Sequence, residues 1–237
     1  MSMVRRIPMD GVMNFRDLGG FACPGGVTRW NRIYRSAALA DASPEDVERL
    51  RRRNIRLVLD LRYPHEAQAR PDVAIPGVQN LNFPLLGDFP MDKLPINGEV
   101  KSTRSLYRMY RLMLRHGGEA ILGAFRALLA CDGAVLFHCA AGKDRTGVFT
   151  MLLLALAGVE WADILADYTV SELYLEGLTT DISGSNVHNM RMLRAFLEKE
   201  YGSAEEYLLG LGASKEELDA FRSLFVCPEG DNEQGGW

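Results

Sequence analysis

Apolar runs along the chain predict short buried strands separated by helices. Arg32–Ser36 alternates polar and apolar residues, as a short strand does, and Ile55–Leu61 and Gly133–His138 are apolar runs of strand length. Val78–Phe83 predicts a weaker strand that ends before Pro84. These segments are the candidate strands of a central sheet.

Helical patterns follow the strands and fill the second half of the chain. One helix begins at an N-cap on Ser43, with Pro44 at its first position and Asp46 three residues after the cap. Further helices are predicted at about 102–115, 119–130, 146–157, 161–175, 187–201, 204–209 and after a Ser214 cap. This order predicts an α/β fold with a mostly parallel central sheet flanked by helices and a helical C-terminal part.

Composition adds the expectation of one globular domain. The 237 residues are 47% hydrophobic and 24% charged, which is typical of a globular protein. We expect a single domain over 1–228 and a polar, Gly-rich tail over 229–237. The net charge of −4 gives no reason to expect nucleic acid as a partner.

The sequence shows no signal peptide, and no apolar run approaches the ~20 residues that a membrane-spanning helix needs. It therefore favours a cytoplasmic protein without stable membrane insertion. Export by a route without a signal peptide stays open.

The four cysteines are spaced for neither zinc nor a disulfide framework. Cys23, Cys131, Cys139 and Cys227 form no C-x-x-C pair and have no histidine cluster beside them. We therefore expect no metal and no cofactor. Because a single cysteine is most often a small buried hydrophobic residue, a chemical role requires a surrounding motif.

Cys139 has such a motif, since it lies between a buried strand and a helix. Ligands of open α/β sheets bind at the carboxyl ends of strands, and a helix N-terminus presents unpaired N–H groups to anions. Gly142 lets the backbone curl so that successive N–H groups face inward, and Arg145 adds a planar fork of donors for phosphate oxygens. The candidate phosphate-binding residues are Ala140, Ala141, Gly142, Lys143, Asp144 and Arg145. The same positive charge favours the nucleophilic thiolate form of Cys139.

The spacing of Cys139 and Arg145 is not diagnostic by itself. Cys23 and Arg29 have the same C-x5-R spacing, but no buried strand precedes them and no helix follows. Pro24 also removes one N–H donor. We predict a turn before a strand at that position, so the strand, glycine and helix around Cys139 carry the interpretation.

A nucleotide-binding P-loop is the nearest alternative, because the loop contains Gly142 and Lys143. That motif needs a glycine where Phe137 stands and a serine or threonine where Asp144 stands. The sequence therefore favours a cysteine nucleophile over a nucleotide site.

The segment His138–Gly147 reads HCAAGKDRTG and resembles the signature of the protein tyrosine phosphatase superfamily. More narrowly, it resembles the HCxxGKDRTG form of the bacterial atypical tyrosine/serine phosphatases. Asn14–Gly20, Tyr34–Ser36 and Asp60–Arg62 resemble flanking motifs of that family. The resemblance implies a protein tyrosine phosphatase-like fold and a metal-independent phosphomonoester hydrolase. Its expected substrate is phosphotyrosine, with phosphoserine, phosphothreonine and phosphoinositides as further candidates.

The resemblance also implies roles for the site residues. Cys139 attacks phosphorus and forms a phosphocysteine, while the loop amides and Arg145 stabilise the charge on the equatorial oxygens. Thr146 donates to the sulfur, and His138 orients the loop. We expect phosphate or sulfate to occupy this loop.

The general acid is not defined by the sequence. The W-P-D loop of better-known tyrosine phosphatases is absent, and we rank Asp144 first, Asp60 second and Asp88 third. For Asp60, an ion pair with Arg62 is an equally good interpretation.

Two features bear on the substrate. Lys143 resembles a lysine in the loops of phosphoinositide phosphatases. The predicted helix 102–115 carries four arginines on one face: Arg104, Arg108, Arg111 and Arg115. This face is either a solvated helix surface or a basic wall for an anionic substrate.

Larger relatives insert a helical lid after the helix that follows the catalytic strand. The corresponding segment Ser171–Met190 is short in this chain, so we expect a more open site or a small flexible flap. Two other classes also hold an anion beside a cysteine. Sulfurtransferases lack the G-K-D-R-T-G helix entry, and arsenate reductases need further cysteines near the site. A non-catalytic phosphate-binding module usually lacks the nucleophile or the arginine, and both are present here.

Overall fold

The structure is a computed structural model that describes residues 4–86, 103–175 and 187–228. In chain order the strands are β1 (Arg16–Asp17), β2 (Ala22–Cys23), β3 (Gly26–Thr28), β4 (Ile33–Ser36), β5 (Ile55–Asp60), β6 (Gln79–Asn82), β7 (Ala134–His138) and β8 (Val226–Cys227). The helices are α1 (Pro44–Arg52), α2 (Pro64–Ala69), α3 (Thr103–His116), α4 (Gly118–Ala130), α5 (Asp144–Leu156), α6 (Trp161–Tyr174), α7 (Val187–Tyr201), α8 (Ala204–Gly210) and α9 (Lys215–Phe225).

The main sheet has five strands in the order β1-β4-β7-β5-β6. The pairs formed by β4, β5, β6 and β7 are parallel, and β1 runs antiparallel to β4. The predicted mostly parallel α/β sheet is therefore confirmed. Ser36 and Asp60 lie in register on either side of His138, so three strands end together at one edge. Parallel sheets bind ligands at this edge.

The main sheet separates two layers of buried side chains. Successive residues of β7 point to opposite faces because side chains alternate along a strand. Phe137 packs in one layer with Phe149 of α5, and Leu136 packs in the other with Leu50 of α1. The helices that follow β6 therefore cover one face, and α1 covers the other.

Two predicted helix starts are confirmed in atomic detail. Ser43 accepts from the N–H of Asp46, whose carboxylate accepts from the Ser43 N–H in return. Ser214 and Glu217 form the same reciprocal box at the start of α9. Each box satisfies N–H groups that have no partner inside the helix.

Local structure differs from the predictions at two helices. The helix α5 begins at Asp144, about two residues earlier than predicted, where a carboxylate complements the positive end of the helix dipole. The helix α2 was not predicted, because six residues are too few to show a helical period. Its start signals are Pro64 at the first position and Glu66, whose carboxylate accepts from the Tyr63 N–H at 2.9 Å.

The predicted turn before a strand near Cys23 is confirmed, and a second strand before the turn makes the segment a hairpin. Cys23 ends β2, and Gly26 begins β3, which pairs antiparallel with it. Gly25 and Gly26 have φ of +89° and +139°, in the region that favours glycine. The C-x5-R spacing of Cys23 thus occurs in a β-turn and not before a helix.

Across the described ranges, no helix combines the length and the apolar character needed to cross a membrane.

Candidate active site

The loop that carries Cys139 connects β7 to α5 at the shared edge of the parallel strands. It spans 139–143, and its turn depends on Gly142, which has φ of +66°. A Cβ atom on Gly142 would lie 2.1 Å from the carbonyl oxygen of Ser36 at the end of β4. Glycine is therefore required both by the backbone conformation and by the close approach of β4.

The carbonyl groups of this loop accept hydrogen bonds from polar side chains in the first part of the chain. Asn14 donates its side-chain amide to the carbonyls of Ala141 and Gly142, each at 3.0 Å. Arg35 donates to the carbonyl of Gly142 at 2.8 Å. Since C=O and N–H point in opposite directions in a trans peptide, the N–H groups that follow these carbonyls face away from Asn14 and Arg35. Among the described residues, the backbone N–H groups of Gly142 and Lys143 meet no acceptor.

A buried ion cluster holds these outer contacts in place. Asp167 of α6 binds Arg16 at 2.7 Å and Arg35 at 2.5 Å, and all three side chains are at most 2% exposed. Burial favours the neutral acid, but the charges of Arg16 and Arg35 outweigh it and lower the pKa of Asp167. Burial, with Arg16 acting in the same direction, lowers the pKa of Arg35 to about 10. The position of the loop 139–143, hereafter the anion loop, thus depends on charge pairs between β1, β4 and α6.

Arg145 lies in the first turn of α5 and is held by Glu66 of α2. Both terminal nitrogens of Arg145 donate to the carboxylate, one of them at 2.9 Å. The guanidinium also lies over the Tyr63 ring, at 5.2 Å from its centroid. Burial opposes the charge of Arg145. Its hydrogen bonds to Glu66 and its electrostatic interaction with Cys139 outweigh burial and raise the pKa of Arg145. For Glu66, burial acts to raise the pKa, and Arg145 overcomes it and holds that pKa below the usual range.

Sequence reasoning did not find Glu66. The sequence around Glu66 contains only signals of a helix start: Pro64 lies two residues before it, and Glu66 is the third residue of the short helix α2. Neither signal connects it to Arg145, which lies 79 residues away.

Asp144 is bound by a tyrosine from α3. The hydroxyl of Tyr110 donates to one carboxylate oxygen of Asp144 and lies 2.7 Å from the hydroxyl of Tyr168 in α6. Both tyrosines are at most 1% exposed. Burial, followed by the charge of Asp144, raises the pKa of Tyr110 well above its usual value, so this hydroxyl stays protonated. The sequence patterns do not indicate these tyrosine contacts.

Asp60 ends β5 and is bound to Arg62, as the alternative interpretation of the sequence proposed. Arg62 donates to both Asp60 oxygens, at 2.9 Å and 2.8 Å, and also pairs with Asp72 at 3.0 Å. His138 places its Nε2 at 3.0 Å from Asp72 and its Nδ1 at 3.2 Å from the carbonyl of Cys139. The ring therefore connects the start of the anion loop to this acidic cluster.

Asp60, Asp72 and His138 present atoms within 4.8 Å of one another, as metal ligands do. The cation that these two carboxylates bind in the structure is Arg62. Its guanidinium binds an oxygen of each carboxylate, so the donor set as arranged does not leave them free for a metal ion.

Lys143, at the end of the loop, and Thr146, in the first turn of α5, have side-chain environments that the sequence did not indicate. The Lys143 ammonium is buried and pairs with Glu172 of α6 at 3.1 Å. The Thr146 hydroxyl is buried without a hydrogen-bond partner among the described residues. The expected donation from Thr146 to the sulfur is therefore not formed in the structure.

Two of the four arginines on the predicted face of α3 pack against α7. Arg111 and Arg115 lie over the Phe196 ring of α7, at 4.6 Å and 5.1 Å from its centroid. Arg108 is exposed. The Arg104 side chain, Asp88 and the segment 176–186 lie outside the described residues, and so does most of the loop 85–100.

The central strand of the mostly parallel sheet leads to a cysteine, and an amide-lined loop and a helix with an arginine in its first turn follow. This arrangement defines a protein tyrosine phosphatase-like phosphatase. The chain belongs to the tyrosine phosphatase family, which matches residues 7–227. The membership predicted from HCAAGKDRTG is confirmed.

Named relatives agree with this assignment. A tyrosine-protein phosphatase of Nostoc commune is 29% identical over 225 residues, which cover 85% of this chain and 76% of the relative. The triple specificity protein phosphatase PtpB of Mycobacterium tuberculosis is 27% identical over 278 aligned positions, which cover 94% and 99% of the two chains. Among solved structures, TpbA of P. aeruginosa aligns with a TM-score of 0.36 and 18% identity, over 77% of this chain and 88% of that chain.

Proposed function

We propose that this phosphatase hydrolyses phosphotyrosine through a phosphocysteine intermediate and without a metal ion. The observation that carries the proposal is the loop 139–143. Asn14 and Arg35 bind its carbonyl groups, so its N–H groups face the other way, where a phosphate can accept from them. Cys139 stands at the start of this loop and Arg145 follows its end.

The proposed reaction has two displacement steps. The Cys139 thiolate attacks phosphorus, the bond from phosphorus to the leaving oxygen breaks, and that oxygen takes a proton from a general acid. Water then attacks phosphorus, the sulfur–phosphorus bond breaks, and inorganic phosphate leaves with the thiolate restored. The loop N–H groups and Arg145 stabilise the equatorial oxygens in both steps.

Asp144 is the proposed acid. It precedes Arg145 at the start of α5, and its side chain is held by Tyr110. Asp60 is the weaker candidate, because both of its oxygens already bind the Arg62 guanidinium. Thr146 remains a candidate donor to the leaving sulfur in the second step, since its buried hydroxyl has no partner among the described residues.

The test is hydrolysis of p-nitrophenyl phosphate in the presence of a metal chelator. We expect activity in the native protein, loss of at least about a hundredfold in Cys139→Ser, and a phosphate label on the protein after rapid acid quench. The control is Cys131→Ser, a half-buried thiol that ends α4 away from the loop. Dependence on added metal, or activity that survives in Cys139→Ser, would contradict the mechanism.

Phosphotyrosine is the leading substrate because relatives are named for it. PtpB is named for triple specificity, so phosphoserine, phosphothreonine and phosphoinositides are the second group of candidates. A panel of phosphopeptides and phosphoinositides, ranked by kcat/KM, distinguishes them. A cytoplasmic location fits this chemistry, because the cytoplasm keeps thiols reduced.

Lys143 is the residue to test for the phosphoinositide candidate. If its ammonium binds a second phosphate, we expect Lys143→Gln to lower kcat/KM for a phosphoinositide about tenfold more than for a phosphotyrosine peptide. Glu172→Gln is the matched control, since it breaks the same 3.1 Å ion pair but keeps the ammonium. Equal losses on both substrates in Lys143→Gln would exclude the role.

A further inference from the structure

Tyr110 and Tyr168 form a buried chain of hydroxyl groups that ends on Asp144. Tyr110 comes from α3 and Tyr168 from α6, and the two rings meet edge to face with centroids 6.4 Å apart. Their hydroxyl oxygens are 2.7 Å apart, and the Tyr110 hydroxyl donates to Oδ1 of Asp144. Two helices from different parts of the chain thus deliver polar groups to the carboxylate at the start of α5.

The direction of hydrogen bonding in this chain follows from proton counting. A carboxylate only accepts, and each phenol has one proton to donate. When Tyr110 donates to ionised Asp144, its oxygen is left to accept from Tyr168. When Asp144 carries a proton for transfer, that proton is on Oδ2, and Oδ1 still accepts from Tyr110 without movement of heavy atoms. The chain therefore accommodates both protonation states of Asp144.

We propose that Tyr110, supported by Tyr168, is a positioning residue that aims the Asp144 carboxyl group at the leaving oxygen. This inference rests on the proposed function, in which Asp144 is the general acid. An acid must alternate between protonated and ionised forms in the two steps, and Oδ1 can accept from Tyr110 in both, so the carboxyl keeps its place while Oδ2 gains and loses the proton. Because both tyrosines are buried, the contact is not weakened by solvent.

The experiment compares a substrate that needs the acid with one that does not. Phenyl phosphate has a poor leaving group, and p-nitrophenyl phosphate has a good one. We expect Tyr110→Phe, which keeps the ring and removes the hydroxyl, to lower kcat about tenfold for phenyl phosphate and less than about twofold for p-nitrophenyl phosphate. Tyr168→Phe should show the same pattern with a smaller loss, and it tests the chain if Tyr110→Phe does not fold.

Tyr207→Phe is the matched control. Tyr207 is 2% exposed and donates to the Leu114 carbonyl at 2.8 Å, so the change removes an equally buried hydrogen bond. It should lower the melting temperature without altering the ratio of the two rates. Equal losses on both substrates in Tyr110→Phe, as expected for Tyr207→Phe, would mean that Tyr110 has only a structural role. That result would overturn the inference.

The double variant separates this inference from the proposed function. Asp144→Asn alone should lower the rate on phenyl phosphate selectively, and Tyr110→Phe should then add less than about twofold, because both changes act through one group. If Asp144→Asn shows no selectivity, the general acid is wrong and the positioning role fails with it. If Asp144→Asn is selective and Tyr110→Phe is not, the positioning role alone fails.

Discussion

Glu66 binds the two terminal nitrogens of Arg145 and leaves the Nε edge of the guanidinium facing elsewhere. A guanidinium has five N–H donors in a fixed plane, and an end-on carboxylate uses two of them. The Nε–H and the outer Nη2–H remain as a second fork of the kind that binds two phosphate oxygens. In the proposed mechanism, Glu66 would therefore orient Arg145 for phosphate rather than compete for it.

Glu66→Gln should lower kcat/KM for p-nitrophenyl phosphate. The amide keeps one acceptor but loses the charge, and a charge-assisted hydrogen bond contributes about 1.5–3 kcal/mol, which is roughly 10- to 100-fold in rate. Steady-state kinetics at saturating and limiting substrate would measure it. Glu45→Gln, at an exposed position of α1, is the control. A gain in activity would mean that Glu66 competes with phosphate.

Gly142→Ala should abolish most activity while the protein stays folded. Alanine at this left-handed position would cost about 1–2 kcal/mol, and its Cβ would approach the Ser36 carbonyl to 2.1 Å. The loop must then shift, and a displacement of about 1 Å in a catalytic site can reduce the rate a hundredfold. Activity and the urea midpoint, measured together, separate loop displacement from unfolding.

Gly210→Ala provides the comparison for that loop change. A Cβ at Gly210, the last residue of α8, meets nothing within 4 Å, and its backbone needs no left-handed conformation. We expect this variant to retain full activity and to be neutral or slightly more stable. Comparable losses in the two variants would show that Gly142 has no special role.

Asp167→Asn should destabilise the fold by about 3–5 kcal/mol, because it leaves two buried arginines without their shared counter-charge. The pKa of Asp167 is lowered in the fold, so its contribution is present above the usual 3.8 and is lost as the pH falls through the lower folded value. In urea unfolding, the gap between native protein and variant should be constant from about pH 5 to 8 and close only below about pH 3.8.

The exposed pair of Asp219 and Arg222 supplies the control for that charge change. Asp219 is 74% exposed, and its ion pair at 3.0 Å is screened by solvent. Asp219→Asn should therefore change the free energy of unfolding by no more than about 0.5 kcal/mol. A loss in Asp167→Asn no larger than this would mean that the buried cluster does not hold the loop.

Local signals were sufficient to predict most of the fold and the position of Cys139 directly after a buried strand. Cys139, Gly142 and Arg145 lie within seven consecutive positions, and the strand and helix on either side are long enough to show their own patterns. The residues that orient them come from distant segments. Glu66 and Tyr110 meet the loop only through tertiary packing, 79 and 34 residues away from their partners. Periodicity and caps contain no information about such contacts.

Asp60 offers the sharpest remaining comparison between the two highest-ranked acids. Its oxygens both bind Arg62, and the Asn82 side chain donates to its carbonyl at 2.9 Å, so its surroundings are those of a structural ion pair. Asp60→Asn should lower the melting temperature and reduce the rates on phenyl phosphate and p-nitrophenyl phosphate by the same factor. Asp144→Asn should instead reduce only the rate on phenyl phosphate, by about a hundredfold. A selective loss in Asp60→Asn would reverse the ranking, because only the residue that protonates the leaving oxygen is sensitive to the leaving group.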